Sequence, residues 1–401
     1  MVLQRHDHRG QAVVEFTLDD VRYLGSDPGR QALTEVAGHA LSNASLVADV
    51  AALRKRHGDR VAVLVETIRL RRKAVAKLPA AGQWLFTDSA LQQATAAPVA
   101  VHRARRLAGR TVHDATCSIG TELAALRDSV RAAIGSDLDP VRLAMARHNL
   151  GTEVPLCRAD ALRPVTADAV VVVDPARREG SRRRFDPRAY APPLDELLVA
   201  LEGRDHVVKC APGIDFDALT AMGFTGEVEV TSFGGSVREA CLWSRGLAEA
   251  AVRRRATLLD TGEQVTDNDP DDCGVAPVGR WLIDPDGAVV RAGLVRHYGA
   301  RHHLWQIDPE IAYLSGDELP PGVRGFEVLE AVPFHERHLR QALSARRVGA
   351  VEILVRGVDV DPDALRPRLR LRGAEQLSVV IARIGAKAAS RATAFICRPS
   401  R

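Results

Sequence analysis

Four short segments, each containing an aspartate, follow runs of apolar residues in the second quarter of the chain. They are His113–Thr121, Ser136–Pro140, Arg158–Ala161 and Val173–Arg178. The apolar runs are predicted strands, and the carboxyl ends of parallel strands meet at one edge of a sheet, where ligands bind in open α/β folds. Carboxylates at that edge accept hydrogen bonds from hydroxyl and amino groups. The spacing therefore predicts a ligand site built from four loops.

The first two segments have the chemistry of a nucleotide-cofactor site. After Asp114, the small residues at 115–118 and Gly120 let a ligand approach the backbone, and the following helix supplies free amide donors. Asp137 comes 23 residues after Asp114, where a carboxylate can accept both ribose hydroxyls of an adenosine-containing cofactor. Asp139 directly precedes Pro140, so it fits the cap of the next helix better than a ligand contact.

The other two segments differ in what they can hold. Asp160, at the end of the third predicted strand, can accept an adenine amine; an exposed strand-end aspartate is the alternative. Asp174 follows four valines and precedes Pro175, which puts its carboxylate at the carboxyl edge of a central strand. Ligands bind at that edge in open α/β sheets, so Asp174 is a candidate ligand contact, with a simple turn as the alternative.

Strands and helices alternate around these segments. Strands are predicted at Thr111–Ala115, Ala132–Asp137, Val154–Ala159, Ala169–Asp174 and His206–Cys210, and helices at Thr121–Arg127, Pro140–Leu150, Pro193–Leu201 and Asp215–Met222. Val228–Phe233 and Glu239–Trp243 flank Gly234-Gly235 and predict a hairpin. The pattern predicts an α/β fold class with a Rossmann-like, seven-stranded sheet whose last strand is antiparallel.

The 401 residues predict two or three domains. Helical periodicity indicates an N-terminal helical module at 1–82, and the α/β domain covers 83–246. An acidic stretch with glycine and proline suggests a linker at 247–280. Residues 281–401 predict an α+β module of strands and two helices, compatible with a ferredoxin-like arrangement.

Composition excludes several classes of protein. Hydrophobic residues make up 46% and charged residues 26%, as in ordinary globular proteins. The apolar runs are far shorter than the roughly 18–20 residues of a membrane span, and the polar start predicts no secretory signal. Six cysteines without C-x-x-C spacing predict reduced thiols and no metal site. We therefore expect a cytoplasmic protein.

With these four segments in this order, Thr111–Ser244 resembles the class I S-adenosylmethionine-dependent methyltransferases. The resemblance implies S-adenosylmethionine as cofactor and a methyl acceptor near Asp174. Its first turn departs from the family pattern because Gly120 is the single glycine there. The implied cofactor-binding residues are Asp114, Thr116, Cys117, Ser118, Gly120, Asp137, Asp160, Ala161 and Asp174.

The whole chain resembles a bacterial methyltransferase family with a helical N-terminal region and a THUMP-like C-terminal domain. The resemblance is carried by Trp84–Arg106, Asp174–Arg178, Lys209–Asp215, Asp308–Leu314 and Val351–Gly357. THUMP domains bind structured RNA, so the resemblance implies an RNA partner, tRNA or rRNA.

Three acceptor chemistries remain open, and all three involve Asp174. Asp174-Pro175 resembles the [DN]-P-P-x motif of amino-methylating enzymes, which position an exocyclic amine. Ala176 replaces the second proline, and Arg177 replaces the stacking aromatic residue; a guanidinium plane can also stack on a base. Asp-Pro-x-Arg also resembles the motif of uracil C5 methyltransferases, with Cys210 as a candidate nucleophile; for Cys210 an ordinary strand residue is the alternative.

The third chemistry is ribose 2′-O-methylation. Asp174, Lys209 and Glu239 resemble three members of the K-D-K-E set of those enzymes, with Lys73 or Lys77 as the fourth. In that set a lysine with a lowered pKa helps to deprotonate the hydroxyl. Lysine is rare here, with five among the 55 basic residues. The alternative is a structural ion pair between Lys209 and Glu239.

Arginine clusters and few aromatic residues also favour folded RNA. The clusters are Arg177–Arg178, Arg182–Arg184 and the alternating Arg366, Arg368, Arg370 and Arg372. They can contact phosphates, and solvated faces in an Arg-rich protein are the alternative. Seventeen aromatic residues are too few for a broad single-strand stacking platform. We therefore predict a methyltransferase acting on structured RNA, with catalytic candidates Asp174, Lys209, Glu239 and Arg177. A small-molecule methyltransferase and a non-catalytic RNA-binding protein with a vestigial cofactor site are the alternatives.

Overall fold

The computed structural model describes residues 5–6, 12–177, 190–385 and 390–400, with side chains described in the same ranges except at 5–6, 12–13 and 177. The chain forms two compact units. The first is Met1–Gly226 with Glu239–Ala248, and the second is Glu227–Arg238 with Glu249–Arg401.

The first unit begins with a helical region. Its elements are β1 (Arg5–His6), β2 (Ala12–Val13), α1 (Leu18–Gly25), α2 (Asp27–Ala37), α3 (Leu46–His57), a 3₁₀ turn (Gly58–Arg60), α4 (Val61–Ala74), α5 (Asp88–Gln93) and α6 (Ala97–Arg106). Thr17 and Asp20 form a capping box at the start of α1. Pro98 lies in the first turn of α6, so it separates α5 from α6, as its missing N–H predicts.

A mostly parallel sheet follows. Its elements are β3 (Thr111–Asp114), α7 (Thr121–Leu126), β4 (Ala132–Asp137), α8 (Pro140–Leu150), β5 (Leu156–Arg158), β6 (Val170–Val173), β7 (Ala176–Arg177), β8 (Tyr190–Ala191), α9 (Leu194–Ala200), β9 (His206–Cys210), α10 (Phe216–Ala221), β10 (Glu227–Phe233) and β11 (Ser236–Trp243). In the first unit the strand order is β5-β4-β3-β6-β9-β11.

The neighbouring strands from β5 to β9 are parallel, and β11 is antiparallel to β9. The four valines of β6 are all buried, as expected for a central strand covered on both faces. This topology brings the carboxyl ends of five strands to one edge, as the sequence predicts. Among the described residues, no helix is long and apolar enough to cross a membrane.

The second unit contains β10 and two strands within the predicted linker, β12 (Arg254–Leu258) and β13 (Glu263–Thr266). Strand β10 is parallel to β12, which is antiparallel to β13. Arg255 in β12 binds the buried Glu227 of β10 at 2.8 Å, so residues 254–266 are part of a packed sheet. Gly234 and Gly235 have φ values of 61° and 67°, which a tight two-residue turn requires.

The rest of the second unit forms a seven-stranded sheet. Its elements are β14 (Trp281–Ile283), α11 (Gly287–Ala292), α12 (Val295–Arg301), β15 (Trp305–Gln306), β16 (Leu314–Gly316), β17 (Gly325–Pro333), α13 (Glu336–Ala345), β18 (Val348–Arg356), α14 (Pro362–Arg368), β19 (Glu375–Ile384) and β20 (Arg391–Pro399). The strand order is β15-β16-β14-β17-β20-β19-β18.

The predicted α+β character is correct, but the arrangement is not ferredoxin-like. Helix α14 connects β18 to the adjacent, parallel strand β19, and β19 and β20 then pair antiparallel. A ferredoxin-like unit would place its second helix after a hairpin. Here each helix follows a single strand, and both helices pack into one apolar core.

We predict that Leu343→Ala destabilises the second unit by about 2–5 kcal/mol, because Leu343 is fully buried in that core and truncation leaves a cavity. Denaturant unfolding should show an earlier transition. Arg340→Ala, an exposed position on the same helix, is the control and should shift stability by no more than about 0.5 kcal/mol. Equal effects of the two variants would contradict the assigned packing.

Candidate active site

The loop after β3 is tied to the start of the segment after β6. The Asp114 carboxylate accepts a hydrogen bond from the Thr116 amide at 3.2 Å. The Thr116 hydroxyl in turn accepts one from the Asp174 amide at 2.6 Å. The two loops that carry Asp114 and Asp174 are therefore held together by one threonine side chain.

Asp137 is fixed by backbone amides from two directions. Its two carboxylate oxygens accept hydrogen bonds from Ser118 and Asp139, each at 2.9 Å. Asp139 itself caps α8 by accepting from Val141 at 2.8 Å. The helix cap and the ligand candidate are therefore different aspartates, as the sequence predicts.

Gly120 and Cys117 fix the conformation of the loop between β3 and α7. Gly120 has φ of 88°, a backbone conformation that favours glycine, and a Cβ there would lie 2.7 Å from Leu150 Cδ1, so the leucine side chain would have to shift to admit it. The Cys117 thiol lies in the apolar core, burial raises its pKa, and the Cys117 amide donates to Ser136. Cys117, a predicted cofactor contact, thus has its side chain and amide engaged inside the protein.

The third loop is less constrained. Asp160 accepts a hydrogen bond from the Leu162 amide at 3.0 Å, and Ala161 is buried. This loop lies at the edge of the sheet, two strands from β3.

Lys209, at the end of β9, binds Asp174. Its ammonium lies 2.5 Å from Asp174 Oδ2, 2.5 Å from Thr95 Oγ1 and 4.0 Å from Glu122 Oε2. Burial lowers the pKa of Lys209, but the carboxylates of Asp174 and Glu122 outweigh it and raise that pKa above its ordinary value. Lys209 is therefore held as an ammonium ion, the reverse of the lowered pKa that a 2′-O-methyltransferase lysine needs.

Glu239 does not bind Lys209. It binds the guanidinium of Arg103, which also contacts Cys241 Sγ at 3.2 Å and forms a bidentate pair with Glu122 at 2.7 and 2.8 Å. Arg103 is 1% exposed. The alternative of a structural ion pair between Lys209 and Glu239 is therefore wrong, because the partner of Glu239 is Arg103 of α6.

Lys73 and Lys77, the two candidates for the fourth residue of the K-D-K-E set, bind groups other than Asp174, Lys209 or Glu239. Lys73 pairs with Asp88 at 2.7 Å, and Lys77 donates to the carbonyls of Leu91 and Gln92. The structure instead brings Arg103, Glu122 and Thr95 into the site, three residues that the sequence analysis did not select.

One of these three has a signal in the sequence. Arg103 follows Val99 by four positions and Ala100 by three, so it lies on the apolar face of α6. A charged residue on a buried face needs a partner. Neither Thr95 nor Glu122 carries a comparable signal.

Asp114 lies at the bottom of the site and is almost fully buried. Burial, followed by the nearby Glu122 carboxylate, raises the pKa of Asp114 to about 8. At neutral pH the site thus holds a protonated Asp114 beside ionised groups paired with Arg103 and Lys209.

Some predicted residues fall outside the described part. The backbone of Arg177 belongs to β7, which pairs with β8, but its side chain lies outside the described residues. Arg178 and Arg182–Arg184 also lie outside them. Within the described ranges, no group of three or more His, Cys, Asp or Glu side chains is arranged to hold a metal ion.

Two family models match parts of the chain. A THUMP domain-like model matches residues 323–399, inside the predicted C-terminal module. A domain family of unknown function matches residues 17–74, in the N-terminal helical region.

Two proteins from Mycobacterium tuberculosis, of strains CDC 1551 / Oshkosh and ATCC 25618 / H37Rv, are each 68% identical to this chain over 358 residues. The match covers 87% of this chain and 100% of theirs. Both are named uncharacterized S-adenosylmethionine-dependent methyltransferases.

A crystal structure of a protein from Porphyromonas gingivalis W83, described as a methyltransferase, has the same fold. It aligns with a TM-score of 0.71 at 18% identity, over 97% of this chain and 100% of that chain. At this identity the likeness concerns the fold alone.

We predict that Asp114→Asn removes a pH dependence of stability. With a pKa of about 8 in the fold and 3.8 as its reference value, Asp114 favours the folded state fully below pH 3.8. That contribution is lost as pH rises toward 8, at about 1.4 kcal/mol per pH unit. Denaturant unfolding at pH 5 and pH 8 should show a smaller loss in the variant than in the wild type. Asp128→Asn, at an exposed site, should keep the wild-type loss; an unchanged slope in Asp114→Asn would contradict the assignment.

We also predict that Arg103→Met lowers the free energy of unfolding by about 3–5 kcal/mol, because it leaves Glu122 and Glu239 buried without their cation. Arg105→Met, at an exposed position of the same helix, is the matched control, with an effect below about 0.5 kcal/mol. A stability equal to that of the control would show that the buried cluster contributes nothing to folding.

Proposed function

The chain belongs to the family of S-adenosylmethionine-dependent methyltransferases, and from this premise we propose that it methylates a nucleotide of structured RNA held near Asp174. S-adenosylmethionine, when bound, supplies an electrophilic methyl group on a cationic sulfur. The proposal rests chiefly on Asp174, whose carboxylate is anchored by Lys209 and whose amide is bound to the loop after β3.

The residues at the sheet edge fit this cofactor in charge and chemistry. Asp137 and Asp160 provide acceptors for ribose hydroxyls and an adenine amine. We propose that the cofactor is bound by residues of three loops: Asp114, Thr116, Ser118, Gly120, Asp137, Asp160 and Ala161. Cys117 supports the first of these loops from inside the protein.

Arginines of the second unit support RNA as the substrate. Arg337, Arg340, Arg347, Arg370 and Arg372 are exposed, and within the described residues no carboxylate pairs with them. Such guanidinia are available to phosphates, which dominate nucleic-acid affinity.

The alternating C-terminal arginines thus divide into two groups. Arg366 pairs with Asp363 at 2.8 Å and Arg368 with Glu336 at 3.4 Å, whereas Arg370 and Arg372 remain unpaired by carboxylates in the described residues. A small-molecule methyltransferase would be favoured if the arginines of the clusters were all paired with carboxylates. The exposed Arg370 and Arg372 therefore favour RNA as the substrate. The THUMP domain-like match contains Arg337, Arg340, Arg347, Arg370 and Arg372.

Label transfer tests the proposal. The full chain, labelled S-adenosylmethionine and total RNA from cells lacking the enzyme should give labelled RNA. Asp174→Ala should reduce the transfer at least about a hundredfold through loss of positioning, with cofactor affinity unchanged within a few-fold. Asp168→Ala, an exposed aspartate of the same unit, is the control and should retain transfer.

The other outcomes decide between the alternatives. Cofactor binding without RNA labelling would overturn the RNA proposal and favour a small-molecule substrate. Neither binding nor labelling would favour a non-catalytic RNA-binding protein. Full transfer by Asp174→Ala would refute the acceptor site while leaving the enzyme class intact.

A further inference from the structure

We propose that the methyl acceptor is a nitrogen of a nucleobase that carries an N–H group, rather than a ribose hydroxyl or a pyrimidine C5. The inference rests on the proposed RNA methylation and concerns the same site. It follows from the hydrogen-bond acceptor that remains free on Asp174, from the protonation state of Lys209 and from the accessibility of the nearby cysteines.

Asp174 offers one free acceptor. Its Oδ2 is bound by Lys209, its amide is bound by Thr116, and Oδ1 has no partner among the described residues. The side chain is 41% exposed, so a substrate can reach this oxygen. An aspartate carboxylate accepts hydrogen bonds, which matches the N–H of a base amine or amide.

Lys209 cannot serve as the base that ribose chemistry requires. Deprotonating a hydroxyl needs a neutral amine with a lone pair. Lys209 is enclosed by Asp174, Thr95 and Glu122, and its raised pKa keeps it protonated. Its role is to hold Asp174 in place, which makes it a positioning residue.

Covalent C5 chemistry lacks a nucleophile at Asp174. Cys210 follows Lys209 in β9, and successive side chains of a strand point to opposite faces. In the register Lys209 pairs with Cys241 and Cys210 with Ala240, so Cys210 lies on the face away from Lys209. Cys241 is 1% exposed and is in contact with Arg103 and Glu239, which leaves it inaccessible to a base.

Nitrogen methylation balances with the groups present. The nitrogen lone pair takes the methyl group, forming an N–C bond while the C–S bond breaks and its electron pair remains on sulfur. The products are the methylated base and S-adenosylhomocysteine. Asp174 Oδ1 accepts the N–H hydrogen bond, receives the proton released from nitrogen and passes it to water at the exposed side of the carboxylate.

Analysis of the labelled RNA tests this assignment. The wild-type protein is incubated with methyl-labelled S-adenosylmethionine and total RNA from cells lacking the enzyme, and the RNA is digested to nucleosides. We expect the label in a nucleoside whose methyl group is on a base nitrogen. Hydrolysis in hot concentrated acid, which cleaves the glycosidic bonds of both purines and pyrimidines, should then release the label with the free base.

The other results are distinguishable. Label that stays with the sugar, or loss of tritium from RNA made with [5-³H]-pyrimidines, would overturn the nitrogen assignment and leave RNA methylation standing. Bound cofactor with no labelled RNA would overturn the RNA proposal and the nitrogen assignment with it.

A variant adds an independent measurement. Lys209→Arg keeps a positive charge beside Asp174 but cannot act as a base. We expect transfer to fall by no more than about tenfold, whereas loss of a general base would cost about 10²–10⁴-fold. Lys73→Arg, at an exposed ion pair, is the control. A loss of a hundredfold or more in a folded Lys209→Arg protein that binds cofactor would refute the proposal.

Discussion

The guanidinium of Arg103, buried between Glu122 and Glu239, is the interaction on which the site depends. Three charged groups are removed from water there, and each would be strongly unfavourable alone. The single positive charge of Arg103 is shared between the two carboxylates, on a rigid group that is always charged. The ammonium of Lys209 supplies a second positive charge, 4.0 Å from Glu122, and it also binds Asp174.

This arrangement links the helical N-terminal region to the chemistry. Arg103 lies in α6, and Thr95 lies just before that helix. Glu122 lies in α7, Asp174 follows β6, and Lys209 and Glu239 lie in β9 and β11. The helix that precedes β3 therefore supplies part of the site. Its apolar side packs on the sheet, and its charged residue enters the cluster.

The two units carry different kinds of charge. In the first unit the charges of Arg103, Glu122, Lys209 and Glu239 are buried and paired, which suits fixed positions and hydrogen bonds of defined direction. In the second unit several guanidinia are exposed and unpaired by carboxylates within the described residues. Exposed charges are screened by salt and adapt their geometry, which suits contact with a phosphate backbone rather than recognition of one atom.

The sequence by itself determined the α/β alternation, the antiparallel last strand and the aspartates at the strand ends. These follow from local patterns: apolar runs of strand length, turn residues after them, and proline or glycine at helix boundaries. It also distinguished Asp139 as a cap from Asp137. The strands β12 and β13 were not predicted because both segments are short and show no clear alternation, and the ion pair between β12 and β10 joins residues 28 positions apart.

Only the tertiary structure decided which charges pair. Arg103 and Glu239 are 136 positions apart in the chain, and Lys209 and Thr95 are 114 apart. No local pattern specifies such partners. The pKa of Lys209 depends on the balance between burial and neighbouring carboxylates, so the same lysine in the same motif is a base in one fold and a fixed cation in this one.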